Sequence, residues 1–333
     1  MPIVLRHSGG LNFWEGALKI KSKFAAMVLT VALASLSVKS ASASDMVIAM
    51  PNWPSGQATA NILKVSIAKK FNLDADVQAM GTLIAFSGLA SGTVDIHPEV
   101  WRPNLDSLIE KYAGSVVVAK RSVPAWQGLC ATPEAAKSGI TDIKDLSDPA
   151  KTALLDTDGD GKGELWIGAS TWSSTDIERV RANSYGYAKN LTLVEAEEDV
   201  GMAAVDAAVA TDRPMVFACY APHHVFELHK IVRLTEPPYD PAKWKIVPAS
   251  DPMWFAKSSA TVAWPSVQFH IAYAAAFGKK HPEIAAFLEH VDFTPEEITE
   301  MTYALQVDRQ APLDFATKWV ASHGSRIDGW AAP

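Results

Sequence analysis

From residue 44 onward, short apolar runs alternate with stretches of helical spacing. Met46-Val47-Ile48-Ala49 is strand-like, and Gln57 to Phe71 places Ala58, Ile62, Val65 and Ala68 along one helical face. Val94-Asp95-Ile96 predicts another strand. Val200 to Ala210 predicts an alanine-rich helix, and Met215 to Cys219 is an unbroken apolar run of the kind found in strands buried on both faces. Strand and helix in alternation predict an α/β fold with largely parallel sheets. No repeat is evident.

Residues 1–43 follow a different pattern. Lys19, Lys21 and Lys23 precede an apolar run from Phe24 to Leu36, and Ala41-Ser42-Ala43 offers small residues for signal peptidase. This predicts a secretory leader, because a run of about 13 residues falls short of the roughly 20 that a spanning helix needs. The remaining chain, about 290 residues, exceeds what one hydrophobic core usually organises, so two lobes are expected in an exported, periplasmic protein. Removing the leader takes away Arg6, Lys19, Lys21, Lys23 and Lys39 against Glu15 alone, which moves the net charge from −7 to −11. An acidic chain without Lys/Arg runs has no electrostatic footprint for nucleic acid or anionic lipid. The two cysteines, Cys130 and Cys219, exclude a cysteine-rich scaffold. The sequence leaves open whether they form a disulfide or stand as two buried thiols.

No G-x-S-x-G, H-E-x-x-H, P-loop, G-x-G-x-x-G or C-x-x-C signature occurs, so catalysis has no visible carrier. The adjacent His223-His224 pair would face opposite ways if extended, and is read as a helix start or hinge. The densest polar motif runs from Asp156 to Glu164. It sets Asp156, Asp158, Asp160, Lys162 and Glu164 at positions 1, 3, 5, 7 and 9 of an EF-hand-like loop, with Gly161 at position 6. Carboxylates crowded on alternate residues repel one another unless a hard cation sits among them, and structural Ca2+ is the expected ion. Ile167 stands where a complete EF-hand has its bidentate Glu, and the plain alternative is an Asp/Gly-rich surface turn.

Aromatic residues beside turns are the most telling feature. Trp53 lies in Asn52-Trp53-Pro54-Ser55-Gly56, Trp101 in His97-Pro98-Glu99-Val100-Trp101-Arg102-Pro103, Trp172 in Ser170-Thr171-Trp172-Ser173, and Tyr220 in Cys219-Tyr220-Ala221-Pro222. Ligands of open α/β sheets bind beyond the carboxyl ends of the strands. Four rings delivered there would close a box around a methylated ammonium, which donates no hydrogen bonds and gains roughly 0.5–2 kcal/mol per ring face. Ammonium or lysine would be rejected, because their N–H groups would be buried without acceptors.

With these residues in hand, the chain resembles the glycine betaine/proline betaine/choline substrate-binding proteins of ABC importers, the ProX and OpuAC type, including relatives that bind trimethylamine N-oxide. The likeness covers nearly all of the chain after the leader. It rests on Asn52-Trp53, on Leu89-Ala90-Ser91-Gly92 leading to Trp101-Arg102-Pro103, on Leu155 to Lys162, on Gly168 to Trp172, on Pro214 to Pro222 and on Ile327-Asp328-Gly329-Trp330. The resemblance implies a type II periplasmic-binding fold with a double crossover hinge near Gln127 and Val262. Lobe one would hold residues 44–127 and 263–333, and lobe two residues 128–262. It also implies a monomer serving an ABC permease, with Trp53 and Trp101 from lobe one and Trp172 and Tyr220 from lobe two enclosing the ligand.

Two departures from the ProX pattern bear on the ligand. Tyr220 replaces a tryptophan, which makes Trp254 the candidate substitute wall. In an extended segment Glu99 shares a face with Trp101, placing a carboxylate near the box. That charge tips the choice toward trimethylamine N-oxide, with glycine betaine and choline close behind. The competing expectations are a periplasmic calcium-dependent hydrolase, for which no serine has motif context, and a ligand-binding sensor domain, which the sequence barely separates from a transport protein.

Overall fold

The computed structural model describes residues 44–332, and the expected leader at residues 1–43 lies outside them. Strand β1 (Met46–Met50) is followed by helix α1 (Pro54–Phe71), β2 (Ala75–Ala79), α2 (Thr82–Ser91), β3 (Ile96–Arg102) and the 16-residue β4 (Val116–Ala131). Then come β5 (Gly163–Trp166), α3 (Ser173–Tyr185), β6 (Leu191–Val194), α4 (Glu198–Ala210) and β7 (Val216–Ala221). The short β8 (Val232–Arg233), β9 (Trp244–Lys245) and β10 (Ser259–Ala260) lead into β11 (Val267–Ala274), after which the chain is helical, including α5 (Pro295–Gln306) and α6 (Pro312–Ser322).

Pro54 accounts for the start of α1 three residues before the apolar spacing predicts. Its fixed φ suits the first helical position, where its missing N–H costs nothing. Asn72, in the left-handed conformation at φ 53°, ends the helix by bonding back to the Ala68 carbonyl. Eleven residues of α1 are buried, because the helix is packed between strands and the α5 and α6 pair.

The main sheet runs β2-β1-β3-β11-β4-β7-β5-β6, with β8 also on β4. β1 pairs in parallel with β2 and β3, as β5 does with β6 and β7. β4 and β11 instead pair antiparallel with their neighbours, so the sheet is mixed where the alternation pattern predicts largely parallel pairing. The physical reason lies in β4. It pairs with β11 as far as Ala125 and with β7 from Trp126 on, so one continuous strand carries the chain between two half-sheets. β11 brings the chain back alongside it. One core packs on the first half-sheet around Ile48, Phe86, Ile96, Phe287 and Met301, and the second half is built on two smaller clusters, around Leu165 and Tyr187 and around Trp166 and Phe217.

The open question about the cysteines resolves as a disulfide. Cys130 on β4 and Cys219 on β7 are diagonal neighbours, on either side of the Leu129–Ala218 pair in the antiparallel register, and the two sulfurs are bonded. The link closes a loop of 89 residues in sequence separation, so the oxidised protein is expected to exceed the reduced one by roughly 2–4 kcal/mol in unfolding free energy. Calorimetric melting with and without reductant checks this, and identical melting temperatures would contradict it.

Candidate functional site

The parallel strands of both halves aim their carboxyl ends at one place. Trp53 follows β1 directly before α1, Trp101 is the penultimate residue of β3, Trp172 precedes α3, and Tyr220 is the penultimate residue of β7. All four rings line a single cavity of about 60 Å3. Their planes follow one another at near right angles. Trp53 and Trp172 are 6.3 Å apart at 88°, Trp172 and Tyr220 6.2 Å at 84°, and Tyr220 and Trp101 5.5 Å at 83°. The first and last contacts join the two halves. Phe269 backs Trp101 at 4.8 Å and Trp166 backs Trp172 at 6.0 Å, so these two walls have little room to rotate. Gly168, at φ 106°, lets the Trp172 ring come close, since a Cβ there would meet that ring at 2.8 Å.

Each wall is also held at its polar edge. Glu99 is fully buried, and its Oε2 accepts from Trp53 Nε1 at 2.6 Å, Ser55 Oγ at 3.1 Å and Trp101 Nε1 at 3.4 Å. Desolvation pushes this carboxyl up to about 7, against the opposing pull of those hydrogen bonds. Tyr220 donates its hydroxyl to Glu198 Oε1 at 2.7 Å, and burial pushes Glu198 up to about 8. His223 Nδ1 accepts from the Val225 amide, which leaves Nε2 to carry the proton and donate to Glu198 Oε1 at 2.8 Å. Burial drives the His223 pKa down to about 3, so the imidazole is neutral. Asn52, in the first half, accepts from Trp172 Nε1 at 2.8 Å and donates to Thr171 and Glu197, all three in the second half.

The expected site residues divide accordingly. Trp53, Trp101, Trp172 and Tyr220 meet around the cavity, and Glu99 stands behind two of them without lining it. Trp254 is a correction: it lies in a short helix against Phe255 and lines the adjoining outer groove with Leu83 and Ile84, not the aromatic cavity. Tyr220 is itself the fourth wall. His223 and His224, read as a helix start, do lead into the short helix Val225–Leu228, and the turn after Pro222 brings their rings to 4.3 Å. Sequence reasoning missed Asn52 as a link between halves, Glu198, and Glu178. Glu178 lines the cavity, accepts from Trp264 Nε1 at 2.7 Å and pairs with the buried Arg181, which also pairs with Glu236. No Lys, Arg or His lines the cavity among the described residues.

In the acidic loop, oxygens of Asp156, Asp158, Asp160 and Glu164 lie within 4.8 Å of one another. Asp156 accepts from the Gly159 and Gly161 amides, Asp158 from Asp160, and Asp160 from the amide of Lys162. Gly159 and Gly161 take φ of 81° and 89°, which accounts for glycine at both positions. The loop ends at β5, the strand that leads to Trp172.

The buried groups fix the sign of the pH dependence. Glu99 and Glu198 ordinarily titrate at 4.5, so above that value the folded chain holds protons that the unfolded chain has lost. Their stabilisation disappears as pH rises through about 7 and 8. His97 and His223, lowered from 6.5 to about 4 and about 3, act oppositely and lose stabilisation on acidification. The ligand-free protein should therefore melt at lower temperature at pH 8 than at pH 6.5, and Glu99→Gln should shrink that difference. An unchanged difference in the variant would remove Glu99 as a source.

Comparison with known proteins identifies the fold and the family. Residues 44–322 match the family described as the substrate binding domain of ABC-type glycine betaine transport systems. The chain is 20% identical over 261 residues to the glycine betaine/proline betaine-binding periplasmic protein of Salmonella typhimurium, covering 74% of this chain and 77% of that one. It is 23% identical over 260 residues to the protein of the same name from Escherichia coli, with the same two coverages. Among solved structures, an ABC-transporter choline-binding protein in complex with choline superposes with a TM-score of 0.67 at 19% identity, covering 85% of this chain and 91% of that one. Lactococcal OpuAC in its closed, glycine betaine-bound conformation gives 0.65 at 19%, covering 86% and 99%. The α/β fold is therefore that of these binding proteins, and the family is one of transport proteins, which overturns the hydrolase alternative. By a match over most of its length, the chain belongs to the family of substrate-binding domains of ABC-type glycine betaine transport systems.

Proposed function

We propose that this protein captures a methylated ammonium osmolyte in the periplasm and delivers it, as a monomer, to the permease of an ABC importer. One observation carries the reading: four aromatic rings from both halves stand at successive right angles around one small cavity. Ring faces supply negative potential without demanding hydrogen bonds from the guest, at roughly 0.5–2 kcal/mol per contact. Because two of the ring contacts span the halves, a guest between them favours the arrangement in which the halves meet. A permease then reads occupancy as shape, a population shift paid in contacts across the cleft.

Within this class we favour trimethylamine N-oxide over glycine betaine and choline. The cavity is small, and no basic side chain lines it to neutralise a carboxylate. Buried carboxyl groups, Glu99, Glu198 and Glu178, surround it instead. The positive potential at hand is the start of α3, at Ser173 and Ser174, which suits the partial charge of an N-oxide oxygen. The Glu99 carboxyl is not a contact for the ligand, since it spends its oxygens on Trp53, Trp101, Ser55 and Thr59.

Titration calorimetry against trimethylamine N-oxide, choline, glycine betaine and proline betaine should rank the N-oxide first. Binding of none would sink the reading, and a preference for the carboxylated ligands would reverse the choice within it. Trp101→Ala should raise Kd by roughly 2- to 30-fold with the circular dichroism spectrum unchanged, given the worth of one lost ring face.

We further propose that Asp156, Asp158, Asp160 and Glu164, with the Lys162 backbone carbonyl, hold a structural Ca2+. The donor set fits: hard oxygens cluster within 4.8 Å, and Glu164 Oε1 is buried without a partner. Chelation should lower the melting temperature by several degrees and Ca2+ should restore it. An identical melting curve in chelator would argue against a bound ion.

A further inference from the structure

Aromatic walls account for the N-methyl groups of a ligand but say nothing about its fourth substituent. One side chain at the cavity is built to read it. Gln127 is the second residue of β4 beyond the point where that strand changes partners, and it stands directly opposite Tyr220 in the antiparallel register. Residues so paired project to the same face of a sheet, so the Gln127 amide rises beside the Tyr220 ring. Gln127 is 9% exposed and lines the aromatic cavity.

Its orientation is set from the first half. Asn104, two residues beyond β3 and so close to Trp101, donates its Nδ2 to Gln127 Oε1 at 3.0 Å. With Oε1 engaged there, Nε2 is the end left for the cavity, and among the described residues it has no hydrogen-bond partner. The other neutral donors are placed differently. Thr82 and Ser173 also line the larger outer groove, and Ser174 sits in the first turn of α3. An amide suits this position physically. It offers a donor to oxygen without the positive charge by which lysine or arginine would repel a quaternary nitrogen a few ångströms away.

We propose that Gln127, oriented by Asn104, is the specificity-determining donor for the ligand's oxygen, and that it selects methylated amines carrying a compact acceptor oxygen over those carrying none. The inference rests on the aromatic cavity being the ligand site. A guest without oxygen leaves the Gln127 amide dry and unpaired, whereas an N-oxide oxygen satisfies it, and the difference sets the discrimination. Asn104 is a positioning residue: it touches Gln127 and holds the amide so that its nitrogen, not its oxygen, faces the guest.

Calorimetry with two probes separates the parts. Tetramethylammonium tests the ring walls alone, and trimethylamine N-oxide tests walls and donor together. Gln127→Met, similar in size and lacking the donor, should weaken N-oxide binding by roughly 5- to 100-fold while leaving tetramethylammonium within about twofold. Asn104→Ala should weaken the N-oxide selectively but less, and it carries the same test if the methionine variant does not fold. Equal loss for both probes, or no loss for either, would overturn the role of Gln127 while leaving the aromatic site standing. Ser174→Ala reproducing the selective loss in a chain with Gln127 intact would transfer the role to α3. Failure of the unsubstituted protein to bind either probe would sink the aromatic site and this inference with it.

Discussion

A quaternary ammonium group carries its charge behind methyl hydrogens, so a protein can replace its water only with surfaces of negative potential that ask for no hydrogen bond in return. Four such surfaces converge here, and the rest of the architecture serves to keep them converged. Trp53 and Trp101 are tied at their indole nitrogens to one buried carboxyl, Glu99, and Tyr220 is tied through its hydroxyl to another, Glu198. Placing carboxyls behind the rings fixes ring orientation through their hydrogen bonds. The arrangement costs desolvation, visible in the raised pKa of both groups.

The same constraint makes the halves interdependent. No half supplies a complete enclosure: Trp53 and Trp101 stand on the first half-sheet and Trp172 and Tyr220 on the second. Asn52 reaches across to Trp172, Thr171 and Glu197, and Asn104 reaches to Gln127 on the strand that both half-sheets share. The return crossing is pinned as well, since Arg181 on α3 bonds the Val262 carbonyl at 2.6 Å while Glu178 holds Trp264. In the proposed reading such polar links join the halves that close on the guest, which can bias closure only as far as its contacts differ between the two states.

Much of this was legible in the chain before any coordinates. Aromatic residues beside strand-ending turns mark themselves, because a core tryptophan has no reason to sit next to Asn, Pro, Thr and Ser, and Trp53, Trp101, Trp172 and Tyr220 do come together. The period of two along an extended segment put Glu99 on the side of Trp101, and that is where its carboxyl is found. Trp254 was misplaced because sequence order carries no information on which side of a lobe a loop returns. Glu198, Asn52 and Gln127 left no signal of these contacts: each is an ordinary polar residue whose role comes from a partner at least 22 positions away. Whether two cysteines pair is likewise a question of distance, answered only when β4 and β7 are seen to be neighbours. Local alternation predicted parallel pairing because it cannot register a single strand, β4, long enough to belong to both half-sheets.

The most direct test is a crystal structure of the protein grown with a methylated ammonium ligand. The account predicts the ligand nitrogen within about 6 Å of ring centroids contributed by both halves, Trp53 or Trp101 on one side and Trp172 or Tyr220 on the other. A ligand seated in the outer groove beside Trp254, or against the rings of one half alone, would contradict it.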